Sequence, residues 1–143
     1  MRAAGVAVDL QNLAYALVQL VHNFGAVAVT GSAAAAWWAD GRPPAPRGLA
    51  WLALAGWALQ AASGAGFGAV SYAWYGRFPE LHGIAVAALV VKMVCAASGF
   101  LLAAAYLRFA HRWQERRRRD AWRALFALAA AALSAAAFLR WFA

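Results

Sequence analysis

Four long apolar stretches, separated by three shorter breaks that hold most of the polar and turn-forming residues, set the pattern of this 143-residue chain. The apolar stretches lie near 10–37, 48–74, 82–110 and 121–143, and each meets the about 20 helical residues needed to cross a ~30 Å hydrocarbon core. The first break, Ala39-Asp-Gly-Arg-Pro-Pro-Ala-Pro-Arg-Gly48, holds three of the four prolines, which cannot continue a helix and favour an extended turn. The second, Tyr75-Gly-Arg-Phe-Pro-Glu-Leu81, is short and holds the fourth. Short links between long helices make antiparallel neighbours, so the pattern predicts an all-α integral membrane fold: one four-helix up-down bundle, residues 1–143, with no separate domain. Leu13 to Val29 followed by Thr30-Gly-Ser-Ala could mimic a cleavable leader, but Asp9 precedes that core and His22 and Asn23 interrupt it. The segment is expected to be a retained helix.

Composition agrees with lipid as the solvent. Hydrophobic residues make up 66% of the chain and charged residues 13%, against roughly a quarter charged in soluble domains. That excludes a secreted disulfide scaffold, a disordered tail and most soluble enzymes. Cys95 is the single cysteine, so no internal disulfide and no cysteine-rich metal cage can form.

The formal charge of +8 would suggest nucleic acid if it formed a stripe on a soluble face. Instead seven of the 13 basic residues fall between Arg108 and Arg123, between two apolar stretches. The distribution reads as an orientation signal, and no nucleic-acid partner is expected. Links one and three carry nine Lys and Arg, while the N-terminus, link two and the C-terminus carry three. Both termini are therefore expected outside the cytoplasm, in a multi-pass protein of the bacterial inner membrane. Trp37, Trp38, Trp51, Trp113 and Trp122 gather at the cytoplasmic ends, and Tyr72, Trp74, Tyr75 and Trp141 at the other face, as interfacial rings do. Arg116, Arg117, Arg118 and Arg119 are placed to contact anionic lipid or an acidic partner, and other membrane subunits are expected partners. Trp57 lies deep in the second helix and should find a partner for its indole N–H if it faces protein.

Ionisable residues inside spans are costly and mark candidate function. His22 lies ~18 Å in from the outer end of the first helix and Lys92 ~15 Å in from the outer end of the third, while Gln60 lies ~18 Å from the opposite end of the second. With Gln19 and Asn23, they would form a polar network around a ligand, metal or cofactor. The competing reading is that Lys92 snorkels and His22 bonds across the bundle as inter-helix glue. No Asp or Glu lies inside any span, so an acceptor for Lys92 would come from a cofactor, a lipid or a partner subunit.

For metal binding, copper would favour imidazole and soft ligands, and the inventory is His22, His82, Met93 and Cys95. Met93 and Cys95 do not share a helix face, whereas Lys92 and Cys95 do. Haem between two histidines is disfavoured, because His82 and His111 are each displaced from His22 by about 15 Å or more along the bundle. Single-histidine ligation or a haem shared with another chain stays open, and His111 reads as interfacial. Gly64-x-x-x-Gly68 is expected to pack closely against another helix rather than to break its own. No nucleophile elbow, zinc-protease helix, carboxylate pair or phosphate-binding loop is present, so any enzyme would depend on His22 and Lys92.

His22-Asn-Phe-Gly-Ala-Val-Ala-Val-Thr-Gly31 and Gly83-Ile-Ala-Val-Ala-Ala-Leu-Val-Val-Lys92 resemble the first and third helices of four-helix proteins related to the copper resistance D (CopD) family. A first-helix His with a third-helix Lys is also similar to the HemJ-type protoporphyrinogen oxidases. These resemblances imply handling of copper or of a redox cofactor such as haem, with His22 and Lys92 carried over as site residues. The alternatives are a non-catalytic accessory subunit of a respiratory or photosynthetic complex and a HemJ-like haem-biosynthesis oxidase.

Overall fold

The computed structural model describes residues 2–39 and 47–142, with side chains from residue 9 onwards. Four helices account for nearly all of them: α1 (Arg2–Trp38), α2 (Arg47–Tyr75), α3 (Ile84–Phe109) and α4 (Glu115–Phe142), with a short 3-10 turn at Ala110–Arg112. No strand occurs among the described residues. Helix ends match the apolar stretches except at two places. The helix α1 begins well before its apolar stretch, and α4 takes in the arginine run that the hydrophobic pattern leaves outside it. Arginine is a good helix former, and Glu115 and Asp120 temper the charge of that first part. The proline-rich link, with Arg42, lies outside the described residues.

Three stretches are long and apolar enough to cross a membrane: Asp9–Trp38, Ile84–Arg112 and Glu115–Phe142. The helix α2 is not among them, although its 29 residues give it the length. Gly56, Gln60, Ser63, Gly64, Gly66 and Gly68 dilute its apolar content, so four equally apolar helices are not what the chain forms.

Packing runs from α1 to α2, from α2 to α3, from α3 to α4, and from α4 back to α1. Small side chains line these contacts, with Ala33, Ala50, Ala53 and Ala103 nearly inaccessible, and Leu125 is a larger side chain enclosed among them. The main buried cluster draws on residues 29–36 of α1, 50–57 of α2, 95–106 of α3 and 121–129 of α4. The dense core therefore fills the half of the bundle where α1 and α3 end and α2 and α4 begin.

Glycines set the closest crossings. A Cβ on Gly56 would sit 2.8 Å from Val29 Cγ2 and 3.0 Å from Val29 N, and one on Gly25 would sit 3.3 Å from the Gly56 carbonyl oxygen. The backbones of α1 and α2 therefore meet at Gly25 and Gly56. Between α2 and α3, a Cβ on Gly99 would fall 2.2 Å from Trp57 Cε2, so Gly99 is the seat of the indole. Gly64, in contrast, has nothing within 4 Å of where its Cβ would be, and Gly68 makes only ordinary contact with Phe78 at 3.5 Å. The expected close packing through Gly64-x-x-x-Gly68 is not found. The spacing defines one stripe of α2, and the neighbouring helix crosses α2 at Gly56 instead.

The reversals are held by side chains. Gly76 (φ 67°) and Gly83 (φ 53°) take left-handed backbone that glycine adopts without strain, and Ser71 Oγ donates to the Arg77 carbonyl at 3.1 Å. At the turn between α3 and α4, Arg118 Nε donates to the Ala110 carbonyl at 2.8 Å. The Arg117 guanidinium lies 4.8 Å above the Trp113 ring, and Tyr106 meets Trp113 and Trp122 edge-on. Part of the arginine cluster thus folds back onto its own turn.

Candidate functional site

The half of the bundle opposite the dense core contains a cavity of about 300 Å³, walled by all four helices. His22 from α1 and Lys92 from α3 meet across it, with Lys92 Nζ 2.9 Å from His22 Nε2. Both side chains are half-buried. On its other side the imidazole meets α2, where Nδ1 lies 2.7 Å from Ser63 Oγ. Gln60 Nε2 donates to the His22 carbonyl at 2.5 Å, and the edge of Phe67 closes on the ring with centroids 5.7 Å apart.

Hydrogen-bond direction fixes the histidine tautomer. The Ser63 hydroxyl donates its one proton to the Leu59 carbonyl at 2.5 Å, so towards His22 it can only accept. The Nδ1 atom therefore carries the hydrogen and Nε2 presents its lone pair to Lys92. The ladder runs from the Lys92 ammonium to the imidazole, to the serine hydroxyl, and ends on a backbone carbonyl. Its register follows from the glycine crossing. His22 precedes Gly25 by three residues and Gln60 follows Gly56 by four, so both stand about one turn from the point where the two backbones touch.

Of the residues singled out from sequence, His22, Asn23, Gln60 and Lys92 line the same cavity. Gln19 joins them, its amide donating to Asn23 Oδ1 at 2.6 Å. The proposed metal set is not assembled. Cys95 is 5% exposed within the dense core, whereas Met93 is 62% exposed. His82 and His111 are both exposed, and His111 Nε2 accepts from Arg112 Nε at 3.2 Å. Among the described residues no three His, Cys, Asp or Glu side chains cluster as a metal site. Both imidazole nitrogens of His22 are already engaged, so a copper or haem iron ligand there would have to displace Lys92. The described donors therefore make no multi-ligand copper set, and a haem held by His22 alone would need Nε2 released from Lys92.

Three contributors were not singled out by sequence reasoning. Ser63 follows Gln60 by three residues and so shares its face of α2, a spacing that would have revealed it. Arg140 and the apolar wall of Ala132, Leu133 and Ala136 on α4 carry no local signal and join the site only through the packing of α4 on α3 and α1. Trp57 also reaches the cavity, yet the expected partner for its indole N–H is missing: Nε1 is buried with no hydrogen-bond partner among the described residues. The neighbouring wall of α3 at Gly99 offers it no side chain. No protein family, curated protein or solved structure matches the chain.

Proposed function

We propose that this chain is a multi-pass protein of the bacterial inner membrane, an up-down bundle with both termini outside the cytoplasm, that binds a small organic cofactor or substrate at the Lys92–His22 pair. The observation that carries the reading is the lysine on the cavity wall, bonded to a neutral nitrogen and to no carboxylate among the described residues. Inter-helix glue would not need a cation, because a glutamine or serine joins helices at lower desolvation cost. The resemblances to the CopD and HemJ-type proteins agree with His22 and Lys92 as site residues. No cluster of three metal ligands occurs among the described residues, and in this reading the ligand is held by charge and hydrogen bonds.

The test is purification in mild detergent followed by metal analysis, a visible spectrum and mass spectrometry of extracted small molecules. We expect a bound organic ligand that His22→Ala and Lys92→Met lose and His111→Ala keeps. Stoichiometric copper or iron lost in His22→Ala would replace this reading with metal binding. A preparation with no ligand, or one retained equally by all three variants, would overturn it in favour of an accessory subunit. In the same protein, cysteine probes at Arg77→Cys and Arg117→Cys should label from outside and from the cytoplasm respectively, and the reverse pattern would overturn the orientation.

A further inference from the structure

An ammonium group has three donors. In Lys92 one is spent on His22 Nε2, and among the described residues no acceptor meets the other two. No Asp or Glu lines the cavity. The acids nearest in sequence are committed elsewhere or remote: Glu80 pairs with Arg77 at 2.8 Å, Asp120 lies 3.6 Å from Arg123, and Asp9 stands 13 residues, about 20 Å of helix, before His22. A second cation, Arg140 of α4, lines the same cavity. Arg140 is exposed near the end of α4, whereas Lys92 is half-buried where charge is costly, which leaves the chain short of one negative group beside Lys92.

The remaining walls say what the negative group is attached to. Beside Lys92, the lining residues of the adjoining α4 are Ala129, Ala132, Leu133, Ala136 and Leu139, with no polar side chain among them until Arg140. A volume of about 300 Å³ stands at the lower end of the ~300–1,000 Å³ range of small-molecule sites. We infer that the cavity receives a small amphiphilic carboxylic acid, its carboxylate accepting the two open Lys92 donors and its apolar body lying on the α4 wall. This rests on the ligand-binding reading above and names the class of ligand. One carboxylate matches one ammonium in a charge-assisted bond, and the Gln19, Asn23 and Gln60 amides border the same space. Arg140 draws the anion in from the end of α4.

The experiment uses the full chain in lipid nanodiscs, with carboxyl-¹³C octanoate as the probe and octanol as its uncharged counterpart. Wild type should shift the carboxyl resonance saturably, and octanol should not compete. Lys92→Met should weaken binding by about tenfold or more, as expected for loss of a hydrogen bond to a charged group. Lys92→Arg should keep most of the affinity, and Arg140→Gln should lose only a few-fold. A non-saturable shift, equal competition by octanol, or unchanged affinity in a helical Lys92→Met protein would overturn the inference. Octanoate failing while the natural ligand of His22-dependent protein persists would remove the acid class alone. Failure of both would remove the site.

Discussion

Replacing Gly99 with alanine adds one methyl group to the most crowded position in the bundle. The new Cβ would lie 2.2 Å from Trp57 Cε2 and 2.6 Å from Cδ2 and Cζ2. Ordinary carbon contacts fall at about 3.5–4.0 Å, so the indole and α3 must part by more than about 1 Å. Trp57 is 1% exposed and belongs to the dense core, and although part of it borders the cavity, its rigid ring must move as a unit and cannot fold aside as a flexible chain end would. Overpacking of this kind costs about 1–3 kcal/mol, and the depth of the overlap puts Gly99→Ala at the upper end. At roughly 2–4 °C per kcal/mol for a chain of this size, melting followed by circular dichroism in detergent should drop by roughly 6–12 °C. Gly64→Ala is the control: its Cβ meets nothing within 4 Å, and alanine gains up to about 1 kcal/mol of helix propensity, so its melting temperature should hold or rise. Trp57→Phe, which trims the ring system, should recover part of the Gly99→Ala loss as a coupling of about 0.5–3 kcal/mol. Equal melting of Gly99→Ala and Gly64→Ala, or strict additivity with Trp57→Phe, would refute the reasoning.

Three further variants probe the site and the turn. Ser63→Ala removes the acceptor that holds His22 in the Nδ1–H form, so ¹⁵N spectra of labelled histidine should change from one tautomer to a mixture; an unchanged spectrum would show that Lys92 alone sets it. Arg118→Ala should cost about 1–2 kcal/mol by freeing the Ala110 carbonyl, whereas Arg116→Ala, whose 3.9 Å pair with Asp120 is solvent-exposed, should change stability by less than about 0.5 kcal/mol. Similar losses from the two would mean that the turn is held by overall charge and not by that bond.

Much of the site was legible in one dimension because lipid makes polar residues conspicuous. His22 and Lys92 interrupt apolar runs, and a fixed rise of 1.5 Å per residue converts their positions into depth. That arithmetic anticipated that they could meet, and the structure places them 2.9 Å apart. Depth says nothing about azimuth, however. The facing of a helix depends on which of its small residues a neighbour crosses, and the chain contains more such residues than crossings. Gly64-x-x-x-Gly68 looked like the contact, and Gly56 with Gly25 made it.

The sequence by itself determined an all-helical chain of apolar segments, where the charges gather, and that any polar chemistry falls at one level. Hydropathy and helical rise are local properties and survive without knowledge of the neighbours. Tertiary structure alone decided that Ser63 orients the imidazole, that Cys95 and Met93 part company, and that α4 supplies an apolar wall ending in Arg140. Those facts depend on the rotation of each helix about its own axis, which close contacts at Gly25, Gly56 and Gly99 impose and no local pattern encodes.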